Sequence, residues 1–335
     1  GDWSSDVCSS DLVGEVYSTA PGPLSTSKVL GGRETQTSVA PSTSRVGPGH
    51  RSPGVRDLQS THSSRWEGDY ACLNSGLRKV FVLTQFKSRS LDRHIQIGWN
   101  FLSTELGEAI EVLPPQQRID ETWYKGTADA IYQNIYSIER ESPEQVLILA
   151  GDHIYKMDYA NMIRFHREKR ADVTVGCIPV PLADVRHFGI LQTNEDHHVT
   201  HFIEKPKSAE PMPGDHHHAL GSMGIYVFST RLMFELLCDD AARAESDHDF
   251  GKNNIPSMIQ SGMRVMAYRF RDENRKANPY WCDVGTLDAY YQANMDLVAV
   301  DPVLNLYDND WPIRTLQPAL PPPKFVFSGA GPAGH

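Results

Sequence analysis

The run Val146-Leu147-Ile148-Leu149-Ala150, followed at once by Gly151-Asp152-His153, constrains this chain more than any other stretch. Five apolar residues between charged and glycine punctuation predict a buried strand, far too short for a spanning helix. Its carboxyl end delivers Asp152 to the edge where open α/β sheets bind their ligands. A carboxylate placed there can set a metal beside a phosphate. For an isolated strand-Gly-Asp, an Asp that merely caps the next turn is the simpler reading, so the company Asp152 keeps decides.

From about residue 70 onward the pattern is regular. Val80 to Thr84 predicts a strand, and a helix follows from Ser90 with Leu91, Ile95, Trp99 and Leu102 on one face. Ala128, Ile131, Ile135 and Ile138 mark a second helix leading into the Val146 strand, and Met157 to about Arg170 a third before a strand at Val173 to Pro179. Shorter strands are expected at Gly189 to Gln192, Val199 to Glu204, Met223 to Phe228 and Arg264 to Phe270. Helices are expected around Leu232 to Leu237 and Leu287 to Leu297. The alternation implies an α/β fold: a mostly parallel, Rossmann-like sheet with helices on both faces.

The ends differ in kind. Residues 1–70 are rich in Ser, Thr, Gly and Pro, with a near-repeat from Ser4 to Leu12 and no strand or helix period. They read as disordered, or as text foreign to the folded protein. Residues 71–300 form the expected catalytic domain. Residues 301–335, with Pro318, Pro321, Pro322 and Pro323, read as a linker toward a domain that is absent.

The net charge of the 335 residues is −10, which disfavours a nucleic-acid partner and means that an anionic substrate needs local cations or Mg²⁺. Five scattered cysteines without a C-x-x-C pair argue for reduced thiols and a cytoplasmic setting. Neither a membrane span nor a signal peptide is expected. His216-His217-His218 and His197-His198 read as solvated loops, and Cys282 as an inert thiol.

Four clusters put polar groups at the mouth of a sheet. In Trp123-Tyr124-Lys125-Gly126-Thr127-Ala128-Asp129-Ala130, Gly126 and Thr127 open a helix whose free N–H groups face outward, behind aromatics able to stack on a base. Gly151 to Tyr155 is the second. In Phe202-Ile203-Glu204-Lys205-Pro206 a strand ends in an acid–base pair, with Lys205 able to meet a phosphate and Glu204 able to accept from sugar hydroxyls. Tyr280-Trp281-Cys282-Asp283-Val284-Gly285-Thr286 supplies a second carboxylate ahead of a helix. Each has a plainer alternative: an ordinary N-cap, a surface ion pair or a turn.

In this order the clusters resemble the bacterial glucose-1-phosphate adenylyltransferases, the ADP-glucose pyrophosphorylases. Asn74-Ser75-Gly76, Val82 to Phe86, Pro115-Gln116-Gln117-Arg118, Phe188-Gly189, Ser222 to Phe228, His248 to Lys252 and Trp311 to Thr315 join the same likeness, which covers roughly residues 72–327. The resemblance implies adenylyl transfer from ATP to α-D-glucose 1-phosphate, releasing pyrophosphate, in glycogen or starch synthesis. It implies Asp152 and Asp283 as ligands of Mg²⁺ and Lys205 on the sugar phosphate. Glu204, Gly189 and Ser222 would line the glucose pocket, with Tyr124 and Gln85 on the nucleotide side and backbone presented by Gly126 and Thr127. A homotetramer under allosteric control is implied as well.

Two departures qualify the likeness. The family's phosphate loop, G-G-x-G-T-R-L, has only Val29-Leu30-Gly31-Gly32-Arg33 as a counterpart, and no Lys-Pro-Ala follows before Asn74. Arg33 to about Tyr70 reads as a frame-shifted or misassembled coding stretch. The family's C-terminal β-helix is expected to be missing. Poor turnover is therefore expected. The alternatives are a catalytically inactive regulatory subunit, or a sugar-1-phosphate nucleotidyltransferase using UTP or dTTP. A dehydrogenase has little support without G-x-G-x-x-G after the first strand.

Overall fold

A computed structural model describes residues 12–18, 67–85, 88–115, 123–276, 279–313, 326–328 and 331–333. The motif Val29 to Arg33, Gln116 to Arg118 and the Pro318 to Pro323 run lie outside them. The strands are β1 (Leu12–Ser18), β2 (Lys79–Thr84), β3 (Ala109–Leu113), β4 (Gln145–Leu149), β5 (His153–Tyr155), β6 (Val173–Pro181), β7 (Gly189–Thr193), β8 (Val199–Glu204), β9 (His218–Ser229), β10 (Val265–Arg269), β11 (Trp281–Asp283), and the mutually paired β12 (Val326–Ser328) and β13 (Gly331–Ala333). The helices are α1 (Glu67–Asn74), α2 (Arg89–Gly98), α3 (Thr127–Gln133), α4 (Ile135–Arg140), α5 (Tyr159–Glu168), α6 (Thr230–Ala241), α7 (Ile255–Gln260) and α8 (Leu287–Leu297).

The main sheet runs β10-β6-β9-β4-β1-β2-β3, with β7 branching from β9 and β8 pairing with β7. β2, β3, β4, β6 and β10 share one direction, while β1 and β9 run against their neighbours. The expected majority direction is present, but directly parallel ladders occur only at β2–β3 and β6–β10 among the described pairs on this path. β9 is longer than its apolar run suggests because it continues back to His218, and Gly224 takes a φ of +66° near a shift in its register with β6.

Strand alternation gives the sheet two buried faces. Val80, Val82, Leu147 and Leu149 meet Leu91 and Ile95 of α2 and Met162 and Ile163 of α5 on one side. Phe81, Leu83, Val146 and Ile148 meet Ala128 and Ile131 of α3, Met233 of α6 and Met258 of α7 on the other. Helices therefore cover both faces, and burial of this apolar area is the main driving force for the arrangement.

Three expectations change. The single helix over 128–138 is two, because Asn134 sits at φ −110° and ψ 9° with its amide donating to the Ala130 carbonyl and the Tyr124 hydroxyl. A side-chain amide that bonds nearby polar groups competes with helix continuation. The composition of residues 1–70 predicts no strand, yet Leu12–Ser18 pairs antiparallel with both β2 and β4. Its Val and Tyr content suits a strand, and two flanking strands with unpaired backbone groups supply the hydrogen bonds. Finally, residues 301–313 pack against the domain instead of leaving it, with Leu304 buried beside Ile154 and Ala293. No helix among the described residues is long and apolar enough to cross a membrane.

His166 of α5 is buried, with Nδ1 2.9 Å from Thr174 Oγ1 and Nε2 3.3 Å from Ser229 Oγ. Burial, opposed by Asp172 and reinforced by Arg167, pushes its imidazole from 6.5 down to about 4. Above pH 6.5 both folded and unfolded chains hold it neutral. Below that value the unfolded chain gains the proton first, so stability declines as pH falls toward 4, by up to about 3 kcal/mol. Urea midpoints at pH 7 and pH 4.5 should show a smaller acid loss for His166→Gln than for the unsubstituted chain.

Candidate active site

Asp152 follows the carboxyl end of β4, and the chain turns directly into β5. There His153 lies opposite Asp283 in the antiparallel β5–β11 ladder, with Ile154 opposite Cys282 and Tyr155 opposite Trp281. The Val284 N–H donates to the Asp152 carbonyl at 2.9 Å, tying the two segments once more. Directly opposed residues of such a ladder share a face. Oxygens of Asp152 and Asp283 and a ring nitrogen of His153 accordingly all fall within 4.8 Å of one another. His153 Nε2 lies 3.5 Å from Asp152 Oδ1, and its ring meets the edge of Trp281 at 4.9 Å.

Gly285 completes the arrangement. Its N–H donates to Asp283 Oδ1 at 2.7 Å, and a Cβ at this position would stand 3.0 Å from that oxygen and 3.5 Å from Asp152 Oδ2. The bare Cα leaves room between the carboxylates. Two hard oxygen donors beside an open space suit a divalent cation that takes its remaining ligands from water or phosphate.

Beside the carboxylates a cavity of about 570 Å³ opens between β7, β9 and β11. Gly189, Glu204, Ser222, Tyr226, Trp281 and Asp283 are among its walls. Four of the residues singled out from sequence thus meet here. Glu204 is half-buried, and its carboxylate is wedged between two glycines: a Cβ on Gly189 would lie 2.7 Å from Oε2, and one on Gly251 3.0 Å. Burial raises the Glu204 carboxyl above the usual range, with Lys205 opposing and Asp249 adding to the effect. Lys205 is exposed and outside this lining, on a backbone with φ +45° held by its N–H donating to the Phe188 carbonyl at 3.0 Å. Non-glycine residues enter that region uncommonly.

The Gly126 cluster lies apart, on a second cavity of about 600 Å³ walled by Lys125, Gly126, His248, Asp249 and Lys252. The outward-facing helix start expected there is partly closed. The His248 carbonyl accepts from the Ala128 N–H at 2.8 Å, and the Thr127 hydroxyl donates to Asp249 Oδ2 at 3.2 Å. A Cβ on Gly126 would collide with the carbonyls of Asp247 and His248, so glycine is required for that approach. Tyr124 is buried in the core, and the exposed aromatic of the pair is Trp123. The Gln85 side-chain oxygen is buried with no hydrogen-bond partner among the described residues.

Sequence reasoning does not pick out His153, Trp281, Tyr226 and Gly285 as site members, although His153 is adjacent to Asp152 and Trp281 and Gly285 each stand two residues from Asp283. Only cross-strand pairing makes them neighbours. The sterics at Gly189 yield a direct test. A Gly189→Ala side chain would meet Phe202 Cζ at 2.5 Å and displace Glu204. Overpacking of this kind should destabilise the chain by about 1–3 kcal/mol, read as a lowered urea midpoint.

The family model described as nucleotidyl transferase matches residues 70–299. Among curated relatives, a protein named glucose-1-phosphate adenylyltransferase from Rhodopirellula baltica is 60% identical over 261 residues, which is 78% of this chain and 58% of the relative. Its namesake from Methylococcus capsulatus is 54% identical over 256 residues, 76% of this chain and 60% of the relative. That from Koribacter versatilis is 53% identical over 265 residues, 78% and 63% respectively. The chain spans about three fifths of the length of these relatives.

Proposed function

Because this chain belongs to the nucleotidyl transferase family, we propose that its chemistry is transfer of the adenylyl group of ATP to α-D-glucose 1-phosphate, giving ADP-glucose and pyrophosphate for glycogen or starch synthesis in the cytoplasm. The observation that carries this reading is the convergence of Asp152 and Asp283 across the β5–β11 ladder, beside the cavity of about 570 Å³ that Gly189, Glu204 and Ser222 line. Residues 71–300 are read as the catalytic unit, and the intact relative as an allosterically controlled homotetramer.

Asp152 and Asp283 would hold Mg²⁺, which the gap over Gly285 and the oxygen donors fit. Bound there, the ion supplies charge neutralisation on the phosphate oxygens. Glu204 and Ser222 receive the glucose hydroxyls, and Gly189 leaves the Glu204 carboxylate its place in the pocket wall. Lys205, exposed at the rim on a flexible stem, closes on the sugar phosphate as a point charge. The base lies toward Gln85 and Trp123, with the Gly126–Thr127 turn presenting backbone and Tyr124, its hydroxyl accepting from Asn134, backing this side from the core. Held in line, an oxygen of the sugar phosphate attacks the α-phosphorus and pyrophosphate departs. Positioning and fixed dipoles contribute most of the acceleration, since little covalent work falls to side chains.

The amino-acid order supports impaired turnover: neither G-G-x-G-T-R-L nor Lys-Pro-Ala occurs before Asn74, and only Gly31-Gly32-Arg33 stands in their place. The same observation favours a second reading, an inactive regulatory subunit that retains the ligand pocket.

With the full chain, pyrophosphate release from ATP and glucose 1-phosphate should fall at least about 100-fold below that of the Rhodopirellula baltica relative. Equal rates would refute the impairment. ATP should outcompete UTP and dTTP for binding; the reverse order would move the assignment to another sugar nucleotide. Mn²⁺ binding, followed by electron paramagnetic resonance, should weaken at least about tenfold in Asp283→Asn. An unaltered affinity would remove the metal role.

A further inference from the structure

Lys156 stands directly after β5 and is 1% exposed, an uncommon place for an ammonium group. Its Nζ donates to the Asn305 carbonyl at 2.5 Å and lies 3.4 Å from Asp308 Oδ2. Desolvation works against the Asp308 charge, but the Asp310 N–H bond and the Lys156 ammonium hold its carboxyl below the ordinary range. A buried cation is tolerated only when paired, so this lysine binds the segment around 305–308 tightly to the end of β5.

That segment lies behind the carboxylates. Along β5 and β11, His153 and Asp283 face the candidate cation site, and alternation turns Ile154 and Cys282 the other way. On that rear face Ile154 packs with Leu304 and Ala293, against which Cys282 and Ile313 also lie. Two further bonds secure the same strap: Asn305 N–H to Asn274 Oδ1 at 3.1 Å, and Asn74 Nδ2 to the Pro312 carbonyl at 3.1 Å. The β5–β11 ladder has three residues in each strand and belongs to a sheet of its own. So short a pair is marginal without packing on one side.

We propose that Lys156 is a positioning residue: it clamps residues 304–313 onto the back of the β5–β11 ladder and thereby sets the spacing of Asp152 and Asp283. The cation role of the two carboxylates rests on the reading given above; the clamp on the ladder does not. Two measurements on the full chain separate them. Hydrogen exchange of amides 153–155 and 281–284 reads the ladder without any metal, and Mn²⁺ titration reads the carboxylates.

Lys156→Met keeps the stem and removes the charge. It should speed ladder exchange about tenfold, leave β6 and β9 amides protected, and weaken Mn²⁺ about tenfold. Leu304→Ala, which acts from the strap and spares the ion pair, should do the same in lesser degree and keeps the test open if the lysine variant unfolds. Unchanged ladder exchange in both folded variants overturns the clamp. Faster exchange with unchanged Mn²⁺ affinity overturns the claim that the clamp sets carboxylate spacing, provided Asp283→Asn still weakens binding. If Asp283→Asn leaves Mn²⁺ binding intact, the cation reading falls, and exchange alone decides the clamp.

Discussion

The antiparallel pairing of His153 with Asp283 joins two stretches of chain that are otherwise far apart in sequence, and the site exists because of it. One stretch leaves the centre of a large sheet and the other enters α8, so neither carboxylate is placed by its own element alone. Three residues per strand and the Val284 bond to the Asp152 carbonyl make the join. Cross-strand opposition then puts His153 and Asp283 on one face, with Tyr155 and Trp281, and Ile154 and Cys282 on the other as a matter of geometry. The cavity walls contributed by β7 and β9 acquire a reactive end only through this ladder.

Electrostatics sharpens the arrangement. In a chain of net charge −10, two carboxylates within 4.8 Å of one another repel, and an added cation relieves the repulsion. The opposite charge already present, Lys156, lies behind the ladder and is committed to Asn305 and Asp308. It stabilises the support and leaves the front face negative. Glu204, raised by burial and boxed by Gly189 and Gly251, is a separate acidic group whose orientation is imposed by backbone contact and not by a cation.

Long apolar runs are legible in the amino-acid order itself. Val146 to Leu149, Val173 onward, Val199 to Glu204 and Leu287 to Leu297 fall where their patterns put them, because a strand buried on both faces or an amphipathic helix carries its own period. Three-residue strands carry none, so β5 and β11 leave no trace in the pattern. β1 is hidden for another reason: Gly14 and a serine-rich setting mask a stretch whose pairing is supplied by its neighbours. The tail after Pro302 reads as a free linker because its prolines outweigh one apolar residue, Leu304, and its polar ties to Lys156, Asn274 and Asn74 come from distant parts of the chain.

Amino-acid order alone determined the α/β class, the two-faced burial of the strands, and which side chains could do chemistry: Asp152, Asp283, Glu204 and their companions. Those properties are local, since apolar period, turn residues and residue type are written within a few positions. Tertiary structure decided which of them meet. It brought Asp283 to Asp152, kept Tyr124 in the core while exposing Trp123, filled part of the Gly126 helix start with the His248 carbonyl, and turned β1 against its neighbours. Such outcomes depend on long-range pairing and steric fit, which no short window of sequence contains.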